Sequence, residues 1–306
     1  MADYPQTVLE FNDRFHDEAA CRAYLEARRW PEGPRCPRCP QAKVWTMKTP
    51  FYRCAACGHD FTVTAGTLFA DTHLPLRLWF QALWYVVHQK NGTSALGVRR
   101  VLGLGSYRTA WSWLHKLRRA MVRPGRDRLS GTVEVDEVYV GGEQPGKGGR
   151  GAAGKALVLV VAQVDGGKIG RIRLTRVADA SAAALVPATT AAVSPGSPVL
   201  TDGWSGYGTL AAKGYRHAVV RKSAVVGANL LPRANRVAAL LQRWLLGTHQ
   251  GAVAAAHLDY YLDEFTFRFN RRTSGSRGLL FERLVEQALA LAPVRGDELV
   301  GGKNPK

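Results

Sequence analysis

No run of 18 or more apolar residues occurs in the 306-residue chain, which leaves no candidate for a transmembrane helix. The opening MADYPQTVLEFNDRF lacks the basic and apolar regions of a secretory leader, so a cytoplasmic, nucleoid-associated location is expected. No repeat of 20–50 residues and no long low-complexity tract is visible, which excludes a solenoid. Cysteine is sparse: five residues, all within 1–62. In a cytoplasmic protein so few, so placed, argue against a disulfide framework. Acids are also few, 24 Asp+Glu against 42 Lys+Arg, for a formal charge of +18 and a pI near 10.1. A polyanion partner follows, because lysine and arginine on phosphates release counterions.

The hydrophobic fraction of 46% and charged fraction of 22% suit a globular protein with room for two or three domains. Three regimes appear along the chain. Residues 1–62 hold a predicted helix near Asp17–Trp30 and the cysteines. Residues 63–128 are helical, aromatic and basic. From Gly131 the chain turns β-branched and Gly-rich, then helical again after Pro232. The segment Val122-Arg-Pro-Gly-Arg is the expected linker, since Pro and Gly together interrupt a helix. Cys21 shares a helical face with Tyr24 and Leu25 and reads as a small core residue.

Cys36-Pro-Arg-Cys39 and Cys54-Ala-Ala-Cys57 are two C-x2-C pairs with 14 residues between them. Each pair places two thiolates on one metal, and two such knuckles close a tetrahedron around structural zinc. Gly58 suits the tight turn after the second knuckle. A ribbon this small needs the metal for much of its folding energy. Arg35, Arg38, Lys43, Lys48 and Arg53 surround it, either to meet phosphate or as a solvated basic face.

Beyond the ribbon, His73–His88 carries Leu74, Leu78, Ala82 and Tyr85 at helical spacing. A short helix from Ser94 ends near Gly103, and Ser106 is placed to cap a helix over Tyr107–Met121. Helix, Gly turn, basic helix is the helix-turn-helix order. Between Thr93 and Arg128 lie nine Arg/Lys and one acid, Asp127. Arg99, Arg100, Arg108, Lys116, Arg118 and Arg119 are the expected contacts to double-stranded DNA.

Gly131-Thr-Val-Glu-Val-Asp-Glu-Val-Tyr-Val-Gly-Gly reads as a strand with an acidic centre. A carboxylate in a core strand is costly unless it meets a metal or an ion partner. Val199-Leu-Thr-Asp-Gly-Trp sets Asp202 at the end of a second apolar run. Asp136 and Asp202 on neighbouring strands can hold magnesium, or manganese, for phosphodiester transfer. One decoy lies between them. Gly149-Arg-Gly-Ala-Ala-Gly-Lys-Ala156 nearly matches a phosphate-binding loop, but Ala156 lacks the hydroxyl, and a strand follows where that motif needs a helix. The segment 141–155 is better read as a mobile hairpin beside the acids.

Zinc ribbon, helical reader, Val-Glu-Val-Asp-Glu-Val-Tyr-Val-Gly-Gly, Thr-Asp-Gly-Trp-Ser-Gly-Tyr, Gly-Thr-His-Gln-Gly and Phe-Arg-Phe-Asn-Arg-Arg follow in that order. Over about residues 5–290 the chain resembles the zinc-ribbon DDE transposases of bacterial insertion sequences. The resemblance implies an α+β multidomain protein: zinc ribbon within 1–62, helix-turn-helix-like domain 63–128, ribonuclease-H-like, retroviral-integrase-like catalytic domain 129–292, and a tail 293–306. It implies Asp136 and Asp202 as the first two catalytic metal ligands, terminal inverted repeats and target DNA as partners, and a homo-oligomer on DNA. Relatives often carry Asn, with Lys two places on, where this chain has Leu240 and Gln242. That departure makes Glu264 the candidate third catalytic residue, with Arg271 seven residues on to grip phosphate. The other reading of Glu264 is an i, i+4 ion pair with Arg268. A copy that only binds DNA is the rival to an active transposase.

Overall fold

The computed structural model describes residues 4–39, 43–48, 50–123, 125–141, 155–223, 229–251 and 253–300. Helices α1 (Val8–Arg14) and α2 (Glu18–Arg29) precede a three-stranded antiparallel sheet of β1 (Val44–Thr46), β2 (Tyr52–Cys54) and β3 (Asp60–Phe61). Helices α3 (Leu76–His88), α4 (Ala95–Leu102) and α5 (Tyr107–Ala120) follow. Next come strands β4 (Val133–Val140), β5 (Ala156–Asp165) and β6 (Lys168–Val177), helix α6 (Ala182–Ala192), and strands β7 (Pro198–Thr201) and β8 (Arg216–Val219). Helices α7 (Pro232–His249), α8 (Leu258–Asn270), α9 (Arg277–Ala290) and α10 (Gly296–Val300) complete the chain.

These elements form two compact units, residues 1–123 with 274–301, and residues 124–273. The partition differs from the expected bounds. Ribbon and helices belong to one unit, in which α2 packs on α3, and α9 joins them instead of the strands that begin at β4. The reason is aromatic. Phe281 of α9 sits 5.5 Å from Phe11 and 5.6 Å from Phe80, ring to ring, so its burial is satisfied among the N-terminal helices. Residues 293–306, expected as a tail, include α10, whose Leu299 is fully buried.

Local signals set the helices of this unit. Asp17 accepts from Ala20 N–H at 2.7 Å to cap α2, and Ser94 accepts from Gly97 N–H at 3.1 Å to cap α4. Gly103 ends α4 in the left-handed region at φ 63°. Ser106 occupies the cap position of α5 but makes no side-chain cap bond. Helix α3 starts at Leu76, later than His73, because Pro75 holds extended backbone at ψ 147° and disfavours helix at Leu74. Trp79 of α3 and Trp113 of α5 stack with centroids 3.9 Å apart. Cys21 is fully buried, and burial first, then Glu18, pushes its thiol up to about 12, as an inert core residue requires.

In the second unit the strands lie in the order β6-β5-β4-β7-β8. Strands β4, β5 and β6 are antiparallel; β4, β7 and β8 run parallel. Alternation along the strands makes two cores. Val133, Val135, Leu159 and Val161 pack with Leu185 and Val186 of α6 on one face. Val158, Val160, Ile172 and Leu174 pack with Val237 and Leu241 of α7 and Leu262 and Phe265 of α8 on the other. A mixed sheet with helices on both faces in this order is consistent with the expected ribonuclease-H-like fold. The expected hairpin 141–155 lies outside the described residues apart from Gly141 and Lys155, and Ala156 opens a strand.

Candidate functional site

The ribbon brings its four cysteines together. Sγ of Cys36 lies 3.7 Å from Cys57, Cys39 lies 3.5 Å from Cys54, and Cys39 lies 3.6 Å from Cys57. A tetrahedral ion with Zn–S bonds of 2.3 Å demands sulfurs about 3.8 Å apart, so the set fits structural zinc. The knuckle amides prepare it: backbone hydrogen bonds from Cys57 first, and from Ala56, pull the Cys54 thiol down to about 6 against the effect of burial. Gly58 makes the turn at φ 68°. Trp30, Tyr52 and Phe61 pack beneath, and the Tyr52 hydroxyl donates to Glu26 of α2 at 2.7 Å.

Strand β4 carries three acids with three different surroundings. Glu134 is 2% exposed and solves its burial without a metal. Its Oε2 accepts from the N–H groups of Arg233 at 2.6 Å and Ala234 at 2.9 Å, and its Oε1 accepts from Arg233 Nη1 at 2.9 Å. Those amides are the open donors of the first turn of α7, so the carboxylate caps the helix and meets its dipole. Glu134 thereby docks α7 on the sheet face that carries Asp136.

Asp136 is half-buried and accepts from Glu137 N–H at 2.9 Å. The parallel pairing of β4 with β7 sets Val133 opposite Val199 and Glu134 opposite Leu200. Carried on two residues, that register would bring Asp136 level with Asp202, which follows the end of β7, across a strand spacing of about 4.8 Å. Asp202 accepts from Trp204 N–H at 2.9 Å and faces Arg221 Nη2 at 3.5 Å. Glu137 points to the opposite face, where the fully buried Tyr207 hydroxyl donates to it at 2.7 Å. Burial, then the charges of Glu137, Asp136 and Asp202, drive the Tyr207 phenol pKa far up, so the hydroxyl remains a donor.

The Thr-Asp-Gly-Trp-Ser-Gly-Tyr segment is fitted to this corner. Gly203 has φ 93°, and a Cβ there would meet Val219 Cγ1 at 2.6 Å. At Gly206 a Cβ would meet the Ala180 carbonyl at 2.5 Å, the same oxygen that accepts from Trp204 Nε1 at 2.7 Å. Sequence reasoning grouped Glu134 with Asp136 and assigned nothing to Glu137 or Tyr207. The signal available was the paired motifs themselves, Asp-Glu in one and Asp followed five places on by Tyr in the other.

Glu264 lies on the other side of the sheet order from β7. Helix α8 packs along β6, which β5 separates from β4. The buried Glu264 carboxylate accepts from Arg268 Nε at 2.8 Å and Nη2 at 2.7 Å. The i, i+4 ion pair, one of the two expected arrangements, is formed. Leu240 packs half-buried against the α7–α8 core, and Gln242 Nε2 donates to the Tyr139 carbonyl at 3.2 Å. Among the described residues the four cysteines are the one group of three or more His, Cys, Asp or Glu close enough to share an ion.

The basic residues divide. Arg99, Arg100 and Arg108 are exposed and Arg119 is half-buried. Arg118 is 1% exposed, with Nη1 3.5 Å from His115 Nε2. Lys116 lies over the Trp79 ring at 5.9 Å, and burial lowers its pKa. Arg118 thus falls on the inner side of α5, beside Trp113 and Leu117, while Lys116 is half-buried like Arg119. Arg271 is half-buried, its guanidinium over Phe267 at 4.2 Å.

Two domain families match the sequence. Residues 128–270 match an ISXO2-like transposase domain, and residues 16–60 match a transposase zinc-ribbon domain. The chain is also 29% identical over 130 residues to an "Uncharacterized protein in transposable element ISH50" of Halobacterium salinarum. That match spans 41% of this chain and 43% of the relative.

Proposed function

Because the chain belongs to the zinc-ribbon transposase family of insertion sequences, we propose that it binds the terminal inverted repeats of such an element and catalyses metal-dependent DNA cleavage and strand transfer. The observation that supports the chemistry is the β4–β7 register, Val133 opposite Val199 and Glu134 opposite Leu200, which continued by two residues would bring Asp136 level with Asp202. Carboxylate oxygens are hard donors suited to magnesium or manganese, and Asp136 and Asp202 would hold such an ion. When bound, the ion supplies activation of the attacking oxygen and stabilisation of the leaving oxygen. The chain's own residues supply the frame: Glu134 docks α7, and the Glu137–Tyr207 bond ties the Asp202 loop to β4. Arg99, Arg100 and Arg108 contact duplex phosphates from α4 and α5, in a helix-turn-helix arrangement, and the active form is an oligomer on DNA.

A second reading is favoured by Leu240, whose apolar side chain packs where relatives carry a polar ligand. It makes this copy a DNA-binding protein with an incomplete active site. Nicking of a supercoiled plasmid carrying the element's ends, in Mg²⁺ or Mn²⁺, separates the two. Activity in the parent that Asp136→Asn abolishes supports catalysis. An inert parent, revived by Leu240→Asn with Gln242→Lys, supports the second reading. Nicking that survives Asp136→Asn overturns the assigned site.

A further inference from the structure

The zinc ribbon exposes an apolar face that neither the metal site nor the helical reader uses. Strand β1 is the edge of the ribbon sheet, and Val44 and Tyr52 face its small core. Alternation turns Trp45 and Met47 the other way. Trp45 pairs with Arg53, and Met47 N–H donates to the Phe51 carbonyl at 3.0 Å, so the hairpin end holds Phe51 beside Met47. These side chains are open to solvent: Trp45 52%, Met47 39% and Phe51 50% exposed. The face is rigidly backed, since Cys54 of β2 is a zinc ligand and Cys54 N–H and Ala55 N–H close the hairpin base on His59 and Lys43.

Charge decides what fits there. Within the ribbon segment, Arg35 pairs with Glu32, and Arg53, opposite Trp45, pairs with Asp60. Arg38, Lys43 and Lys48 have no ion pair among the described residues, so the rim carries net positive charge. A second copy of a chain with charge +18 would bring like charge to that rim. A polyanion with exposed apolar rings matches both parts. Duplex DNA offers the charge but hides the base faces; a single strand offers both. Resting on the reading of this chain as a DNA transposase, we infer that the outer ribbon face of Trp45, Met47 and Phe51 stacks unpaired bases at opened DNA ends, with Lys43 and Lys48 on the adjoining phosphates.

The test uses the full-length, zinc-loaded chain and fluorescently labelled short duplexes, either flush-ended or carrying a single-stranded thymidine tail, read by anisotropy. The parent should bind the tailed duplex about tenfold more tightly, the range expected for one stacked base. Trp45→Ala with Phe51→Ala should erase that preference while flush-duplex affinity and zinc content stay unchanged, and Trp45→Phe should keep it. Equal binding of both probes by the parent overturns the inference, as does a preference that survives the double variant. A change of solution mass on removing the two rings also overturns it, because the face would then join copies of the chain. A parent that binds neither probe fails at the DNA-binding reading itself, a result distinct from the loss of tail preference alone.

Discussion

The ribbon and the acidic corner of the sheet each gather metal-type ligands, but they differ in completeness. The ribbon's four Sγ atoms all lie within 4.8 Å of one another, with the knuckle amides already aimed at Cys54. At the sheet the parallel β4–β7 pairing leads toward Asp136 and Asp202, while Glu137 turns to the other face and holds Tyr207. A ribbon ligand set is made by two tight turns within a short stretch. The acidic set depends on strands far apart in sequence and on a helix that must land correctly above them. The lesson is that a local metal site tolerates little drift without unfolding, whereas a dispersed one can lose a ligand and keep its fold. Leu240 packs half-buried against the α7–α8 core.

The largest effect is expected at the ribbon. Cys54→Ser should take zinc from about one per chain to none and unfold the ribbon, because a small metal domain draws most of its stability from the ion. Elemental analysis with limited proteolysis checks this, and full zinc retention would break the contrast drawn above.

Next comes the docking of α7. Glu134→Ala leaves Arg233 and two helix amides without their carboxylate and should destabilise the protein by about 3 kcal/mol, in the range for removing one partner of a buried pair. Glu134→Gln keeps an acceptor and should cost less, about 1–2 kcal/mol. Urea titrations of both variants measure the difference. Equal losses would mean that the charge plays no part in seating the helix.

An effect smaller than that of Glu134→Ala is expected at Tyr207. Tyr207→Phe removes one hydrogen bond to a carboxylate, worth about 2 kcal/mol. If that bond holds the Asp202 loop against β4, Mn²⁺ affinity at the aspartates should fall as well, while zinc content is untouched. Calorimetric titration of Mn²⁺ reads this directly. Unchanged affinity with lowered stability would reduce the latch to packing.

Much of this was readable from residues alone where the cause is local. The C-x2-C spacing dictates a knuckle whatever surrounds it, and Asp17, Ser94 and Gly103 announce helix ends through bonds to their own neighbours. Arg118 was not readable in the same way. A helical stripe tells which residues are apolar, but α5 packs on more than one side, and Trp113 and Leu117 carry Arg118 inward with His115. Glu264 left two readings open, and the choice fell to where α8 lies, along β6 with Arg268 one turn on. Helix α9 was placed with the wrong unit because its pattern shows a buried face without showing which aromatics would cover it.

By itself the sequence determined the zinc ligands, the strand that carries Asp136, the apolar run ending at Asp202 and the basic character of the chain. Each rests on spacing, alternation or composition, which need no partner to be true. Only the tertiary structure decided that β7 lies parallel to β4 with Leu200 opposite Glu134, the register that leads toward Asp136 and Asp202. It also gave Glu134 to α7, Glu137 to Tyr207 and Glu264 to Arg268. The physical reason is common to all three: a buried carboxylate must be met by whatever donors the packing delivers, and those donors lie 4 to 100 residues away along the chain.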